Sequence, residues 1–191
     1  MSNSRPSEIQ TKDTTNLSFV LIPRFNMMAL TATLEPLRVA NYLTGKSLYT
    51  WHFISPKGGN VVSSNGMSID TVKLPEPDRR MDQVFICGSW GSEHYEDKTL
   101  FAWMRRLDRL GVHLGAMDIG TYILARAGLM SGYRAAVLWY CTKAFMEKFP
   151  DTEISDLLYV TDRNRTTIAG GAAGLDLMLD NIAKRHDPHL A

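Results

Sequence analysis

The run Gly115-Ala116-Met117-Asp118-Ile119-Gly120 places an aspartate at the corner between an apolar strand pattern and a helical one, with small residues two positions before and two after it. That spacing suits a nucleophile elbow, in which small neighbours allow a strained tight turn that lifts the central side chain into a cleft at a helix N-terminus. Elbows ordinarily carry Ser or Cys. An aspartate there can bind a cation, form an ester intermediate that a base-activated water must hydrolyse, or simply cap the helix that follows. Aromatic residues stand near the ends of two other strand patterns: Trp90 after Gly88-Ser89, and Trp139-Tyr140 after Val137-Leu138. Carboxylates beside aromatic faces hold ammonium, quaternary ammonium and guanidinium groups, each cation-π contact contributing roughly 0.5 to 2 kcal/mol. Backbone N–H groups at the Ile119 helix start and around Ser89 can hold a ligand carboxylate as well.

Other chemistry has less support. His52, His94, His113, His186 and His189 show no metal-like clustering, and Cys87 and Cys141 stand far apart with no CxxC spacing. That argues against a zinc site or a disulfide scaffold and points to a reducing cytoplasm. Neither a metal nor another cofactor is expected. Gly170-Gly171-Ala-Ala-Gly174 lacks the Gly-Lys-Ser/Thr ending of a phosphate loop, and reads as close packing where the last helix starts near the elbow. Lys and Arg total 21 against 20 for Asp and Glu, so no global field attracts nucleic acid or an anionic membrane. No apolar run reaches the roughly 18 residues of a membrane span.

The elements that must position these residues alternate between β-rich runs and helical patterns, the mark of βαβ units and a mainly parallel sheet. With 45% hydrophobic residues in 191, the chain is expected to form one domain. Residues 1–16 are polar and read as a flexible tail. Strands are expected at 17–22, 51–55, 83–87, 112–116, 135–139, 157–161 and 166–169, with a hairpin around Asn65-Gly66 at a sheet edge. Helices are expected at 27–43, kinked or split by Pro36, and at 95–110, 119–129, 141–149 and 172–185. Ligands of such sheets lie outside the carboxyl ends of the strands, here after Ile22, Cys87, Ala116 and Trp139.

The flanking sequence narrows the family. The run from Leu114 to Tyr140, the segment Lys143 to Asp180, Glu35-Pro-Leu-Arg-Val-Ala-Asn41, Leu48-Tyr-Thr-Trp51, Ser64-Asn-Gly-Met67 and Ile86-Cys-Gly88 match in order. Together they resemble the N-terminal domain of AraC-type transcriptional regulators of the GlxA/ArgR-like group, within the ThiJ/PfpI, class I glutamine-amidotransferase-like superfamily. The resemblance covers residues 17–186. It implies an α/β fold, a single-domain three-layer αβα sandwich with a mainly parallel, flavodoxin-like sheet. It also implies a homodimer, a small-molecule effector, and DNA contact only through a C-terminal helix-turn-helix domain that this chain lacks, residues 187–191 being the start of a linker.

Family members often carry Cys at the elbow and a His before the later Trp. This sequence has Asp118 and Leu138 at those positions, so both halves of the hydrolytic pair are missing. The resemblance also implies that Glu35 lies beside the elbow, giving two neighbouring carboxylates. The leading expectation is a non-catalytic effector-sensing domain that takes a small cationic metabolite of the arginine, betaine or carnitine kind. Asp118, Trp90, Ser89, Glu35, Ile119, Trp139, Leu138 and Met28 are its candidate ligand-binding residues. A hydrolase using Asp118 as nucleophile and a vestigial dimerisation domain are the alternatives.

Overall fold

The computed structural model describes residues 14–191. Its strands are β1 (Thr15–Leu21), β2 (Tyr49–Ser55), β3 (Gly59–Val62), β4 (Ser68–Lys73), β5 (Gln83–Cys87), β6 (His113–Met117), β7 (Arg134–Ala136), β8 (Glu153–Ser155), β9 (Tyr159–Asp162) and β10 (Arg165–Ile168). Its helices are α1 (Met27–Thr44), α2 (Lys98–Arg109), α3 (Gly120–Arg126), α4 (Thr142–Lys148) and α5 (Ala173–Arg185). Eight strands form one sheet in the order β3-β4-β2-β1-β5-β6-β10-β9. From β4 to β10 neighbours run parallel, and the outer β3 and β9 are antiparallel to their partners.

The central strands are apolar on both faces, as strands covered by helices on either side must be. Alternate side chains divide between two cores. Leu17, Phe19, Leu21, Phe85 and Cys87 pack with Leu30 and Leu37 of α1 and Leu177 and Ile182 of α5. Val20, Ile22, Val84, Ile86 and Leu114 pack on the opposite face with Leu100, Trp103 and Leu107 of α2 and Ile123 of α3. The result is the three-layer αβα sandwich expected from the sequence.

Several boundaries differ from the sequence reading, each for a local reason. Most of the tail expected at 1–16 lies outside the described residues, and β1 already begins at Thr15, pairing with Tyr49. Pro36 does not divide α1, which runs unbroken for 18 residues with Pro36 buried. Buried Leu30, Thr33, Leu37 and Ala40 hold both halves on one line, and that packing outweighs the hydrogen bond proline lacks. Helix α2 starts at Lys98 because Asp97 accepts hydrogen bonds from the N–H groups of Thr99 and Leu100, at 2.9 and 3.0 Å. Helix α3 is cut short by Gly128 at φ 76°. The strand expected to reach Trp139 ends at Ala136 and pairs with β8, a strand the sequence did not signal, in a separate two-stranded ribbon. Trp139 falls instead in a short 3-10 turn, Trp139–Cys141.

Candidate functional site

Asp118 follows β6 at φ 56°, a left-handed conformation that Asp tolerates better than most residues. Its N–H donates to the Ile168 carbonyl of β10 at 2.9 Å, which fixes the turn to the neighbouring strand. The glycine two residues on is required by packing: a Cβ on Gly120 would overlap the Ile86 carbonyl oxygen of β5. Ile119 is buried behind the corner. The geometry is that of the elbow read from the sequence.

The Asp118 side chain is only 4% exposed. Its Oδ2 accepts a hydrogen bond from Asn26 Nδ2 at 2.7 Å, whereas Oδ1 is buried with no donor among the described residues. Asn26 is the N-cap of α1: its Oδ1 accepts from the Ala29 N–H at 3.1 Å, and its own N–H donates to the Gly88 carbonyl at 3.2 Å. One residue therefore ties the elbow, α1 and the end of β5 together, the first two through its side chain and the third through its backbone. Burial pushes the Asp118 carboxyl above its ordinary range. The Asn26 hydrogen bond and the nearby Ile119 N–H, not aligned well enough to satisfy Oδ1, oppose the shift without cancelling it.

A second carboxylate, Glu93, acts on Cys141 as Asp118 does. It follows Trp90-Gly91-Ser92, and its Oε2 accepts the Gly91 N–H at 2.8 Å. The Cys141 thiol is pushed up by burial and then by Glu93 and Asp118 together, so both charges reach it. Tyr122 is pushed up to about 12 by burial, Cys141 and Glu93, and its hydroxyl donates to the Cys141 carbonyl at 3.1 Å. An aromatic patch stands beside these groups. Trp90 meets Tyr140 edge to face at 5.3 Å, and Tyr140 meets Trp139 at 5.7 Å. The three are 52%, 67% and 80% exposed respectively.

The other expected residues are distributed unevenly. Glu35 does not approach Asp118: it is exposed and ion-paired with Arg38 at 2.7 Å. Asn26 occupies the elbow end of α1, and Glu35 lies nine residues further on, roughly 13 Å along the axis at 1.5 Å per residue. Met28 reaches the site, its Cε lying 3.4 Å from where a Gly171 Cβ would stand. Ser89 is buried at the end of β5, but its N–H already donates to Ser92 Oγ at 3.1 Å and is not free for a ligand. Leu138 packs against the core on the α2–α3 face. Trp139 points to solvent rather than into the core.

Two features escaped the sequence reading. Asn26 could have been found as a capping residue ahead of an apolar helical pattern. Glu93 sits in a polar turn with nothing to mark it. The Gly170-Gly171 doublet, read as packing near the elbow, does lie beside it: a Cβ on Gly170 would stand 3.4 Å from Asp118 Cγ, in ordinary contact. Among the described residues no cluster of three His, Cys, Asp or Glu side chains is placed to hold a metal ion. A cavity of about 480 Å³ lined by Ser18, His52, Ile54, Val72 and Met81 opens elsewhere, beside the amino-terminal part of β1. Asp118 and the aromatic patch do not line it. The elbow, with its strained turn and unpaired carboxylate oxygen, is the stronger candidate.

No family model matches the chain. Among curated proteins it is 42% identical over 173 residues to the HTH-type transcriptional regulator CdhR of Pseudomonas aeruginosa, covering 91% of this chain and 51% of that protein. It is 36% identical to GbdR of the same species, with 95% and 50% coverage, and 34% identical to GlxA of Rhizobium meliloti, with 88% and 52%. The chain thus spans about half the length of the curated relatives it matches. A crystal structure of an AraC family transcriptional regulator from Pseudomonas putida superposes with a TM-score of 0.83 at 22% identity, covering 92% of this chain and 95% of that one. A ThiJ/PfpI family protein from Pseudomonas syringae superposes at 0.75 and 23% identity, covering 100% and 77%. These likenesses bear out the resemblance drawn from the elbow and its flanking motifs. Over the span it covers, the chain is similar to about half of each of these HTH-type transcriptional regulators, and its fold is the ThiJ/PfpI-like one.

Proposed function

We propose that this domain is a non-catalytic effector sensor and that a small cationic metabolite, arginine-, betaine- or carnitine-like, binds at the elbow. The observation that carries the reading is Asp118 itself, a buried carboxylate with one oxygen unpaired among the described residues; its charge and that of Glu93 both act on Cys141, which follows the exposed Trp139–Tyr140 pair that meets Trp90. An unpaired buried charge is costly, and a cation entering from the aromatic side offsets that cost while gaining cation-π contacts. Hydrolysis through Asp118 lacks a base. Its hydrogen-bond partner is the amide of Asn26, which cannot take a proton at neutral pH. His113 lies at the far end of β6, held against Thr166 at 2.8 Å. DNA contact is assigned to the helix-turn-helix part that the relatives' names denote, and pairing of two chains is part of the same proposal.

A thermal-shift screen tests the reading, using arginine, carnitine, glycine betaine and choline, each beside an uncharged isostere. A ligand at 100 times its dissociation constant adds about 2.7 kcal/mol of stability. Stabilisation by a cation but not by its neutral twin, lost in Asp118→Ala, is the expected outcome. Equal shifts from both members of every pair would remove the charge-based reading.

A further inference from the structure

Gly170, Gly171 and Ala172 lead from β10 into α5, and their three successive backbone N–H groups donate to no acceptor among the described residues. Gly171 is left-handed at φ 59°, and Ala172, which follows it, is right-handed at φ −83° and ψ −3°. A left-handed residue followed by a right-handed one turns consecutive N–H groups to one side and forms an anion-binding concavity. Here it lies at the positive end of a 13-residue helix that has no side-chain N-cap. An independent feature marks the same place. Asp118 Oδ1, buried and unpaired, lies 3.5 Å from the position of a Gly170 Cβ, and Met28 closes over Gly171. Both positions favour glycine, since a side chain at φ 118° or 59° is strained.

We propose that the backbone N–H groups of Gly170, Gly171 and Ala172 are a carboxylate subsite, and that the effector is a zwitterion whose carboxylate enters this concavity while its cationic nitrogen lies beside Asp118. The inference rests on the reading of the elbow as an effector site and adds a second recognition point to it. A simple anion is repelled by Asp118. A carboxylate carried one or two carbons from a cationic nitrogen brings its own neutralising charge, and it satisfies donors that are otherwise unpaired. The other amides considered for this role are engaged: Ser89 N–H is bonded to Ser92, and Ile119 N–H lies against Asp118's own carboxyl group.

The test is a backbone-amide NMR titration of the wild-type chain with two pairs of probes, glycine betaine against ethyltrimethylammonium and L-arginine against agmatine. In each pair the second member keeps the cation and lacks the carboxylate. The expected result is that all four probes shift the Trp90 or Trp139 indole signals, while only glycine betaine or L-arginine shifts the amides of residues 170–172. A second arm uses Ala172→Pro, which removes one donor at a φ near that of proline. It should weaken the carboxylate-bearing probe about tenfold or more and leave its partner unchanged, with the melting curve reporting the fold. Indole shifts without any shift at 170–172 would overturn the carboxylate subsite and leave the cation reading standing. No indole shift from any probe would overturn the cation reading, and the subsite with it.

Discussion

Replacing Asp118 by Asn removes the charge while keeping the shape, and its effect on stability has a defined sign at each pH. The wild-type carboxylate is buried at φ 56° with Oδ2 bonded to Asn26 and Oδ1 unpaired. In the variant the amide oxygen still accepts from Asn26, and Asn suits a left-handed position as well as Asp does. The NH2 group inherits the unpaired place, so the difference between the proteins is the burial of a charge against that of a neutral polar group. An unsatisfied buried group costs about 1–3 kcal/mol and a charged one more, which makes the variant more stable by about 1 kcal/mol at pH 7. For a domain of this size that is a rise of about 2–4 °C in melting temperature. The pH dependence follows from linkage. An acid whose folded pKa lies above its unfolded value binds its proton more tightly when folded. Its favourable contribution is complete below the ordinary value of 3.8 and is lost as pH rises through the elevated folded pKa. Melting curves of the two proteins should therefore converge near pH 3.5 and separate as pH rises towards 7, the variant on top. A variant less stable at pH 7, or a gap that does not change with pH, would show that the carboxylate is stabilised by a partner and would refute the argument.

Asn26→Ala removes the cap of α1 and the side-chain hydrogen bond to Asp118 Oδ2, and should lower stability by about 1–3 kcal/mol in denaturant titration. Gly120→Ala sets a methyl against the Ile86 carbonyl oxygen and should destabilise by several kcal/mol or abolish soluble expression, whereas Ala at exposed Leu175 should change little. Cys141 is held protonated by burial and two carboxylates, so its alkylation at pH 8 should be several-fold slower than in the unfolded chain. His113, lowered to about 4 by burial and then by Arg165 and Arg185, stays neutral in the fold. Its contribution is present above pH 6.5 and lost as pH falls towards 4, so His113→Gln should flatten the acid limb of the stability curve.

The sequence carried most of this fold because its strongest signals are local ones. Val84–Cys87 and Leu114–Met117 are apolar without interruption, as a central strand covered on both faces must be. The elbow was legible because its turn needs small residues at fixed positions, and Gly120 against Ile86 shows why. What could not be read depended on contacts between distant segments. Asn26 and Asp118 are 92 residues apart, and their meeting follows from β1 and β6 flanking β5, a property of sheet order. Glu35 was misplaced through kinship, since one residue type on a helix does not fix which turn faces the cleft. Glu93, which acts on Cys141 together with Asp118, stands in a turn after β5 that has no periodic pattern at all. Pro36 marks the opposite failure, a local rule overruled by packing along a buried helix face.

The measurement that bears most directly on the central claim is calorimetric titration of choline and L-arginine into the wild-type chain, Glu93→Gln and Glu35→Gln. The site as proposed predicts saturable binding that weakens about tenfold in Glu93→Gln and is unchanged in Glu35→Gln, because Glu93, like Asp118, acts on Cys141 next to the aromatic patch, whereas Glu35 is exposed and paired with Arg38. Binding unaffected by Glu93→Gln, or weakened by Glu35→Gln alone, would contradict it.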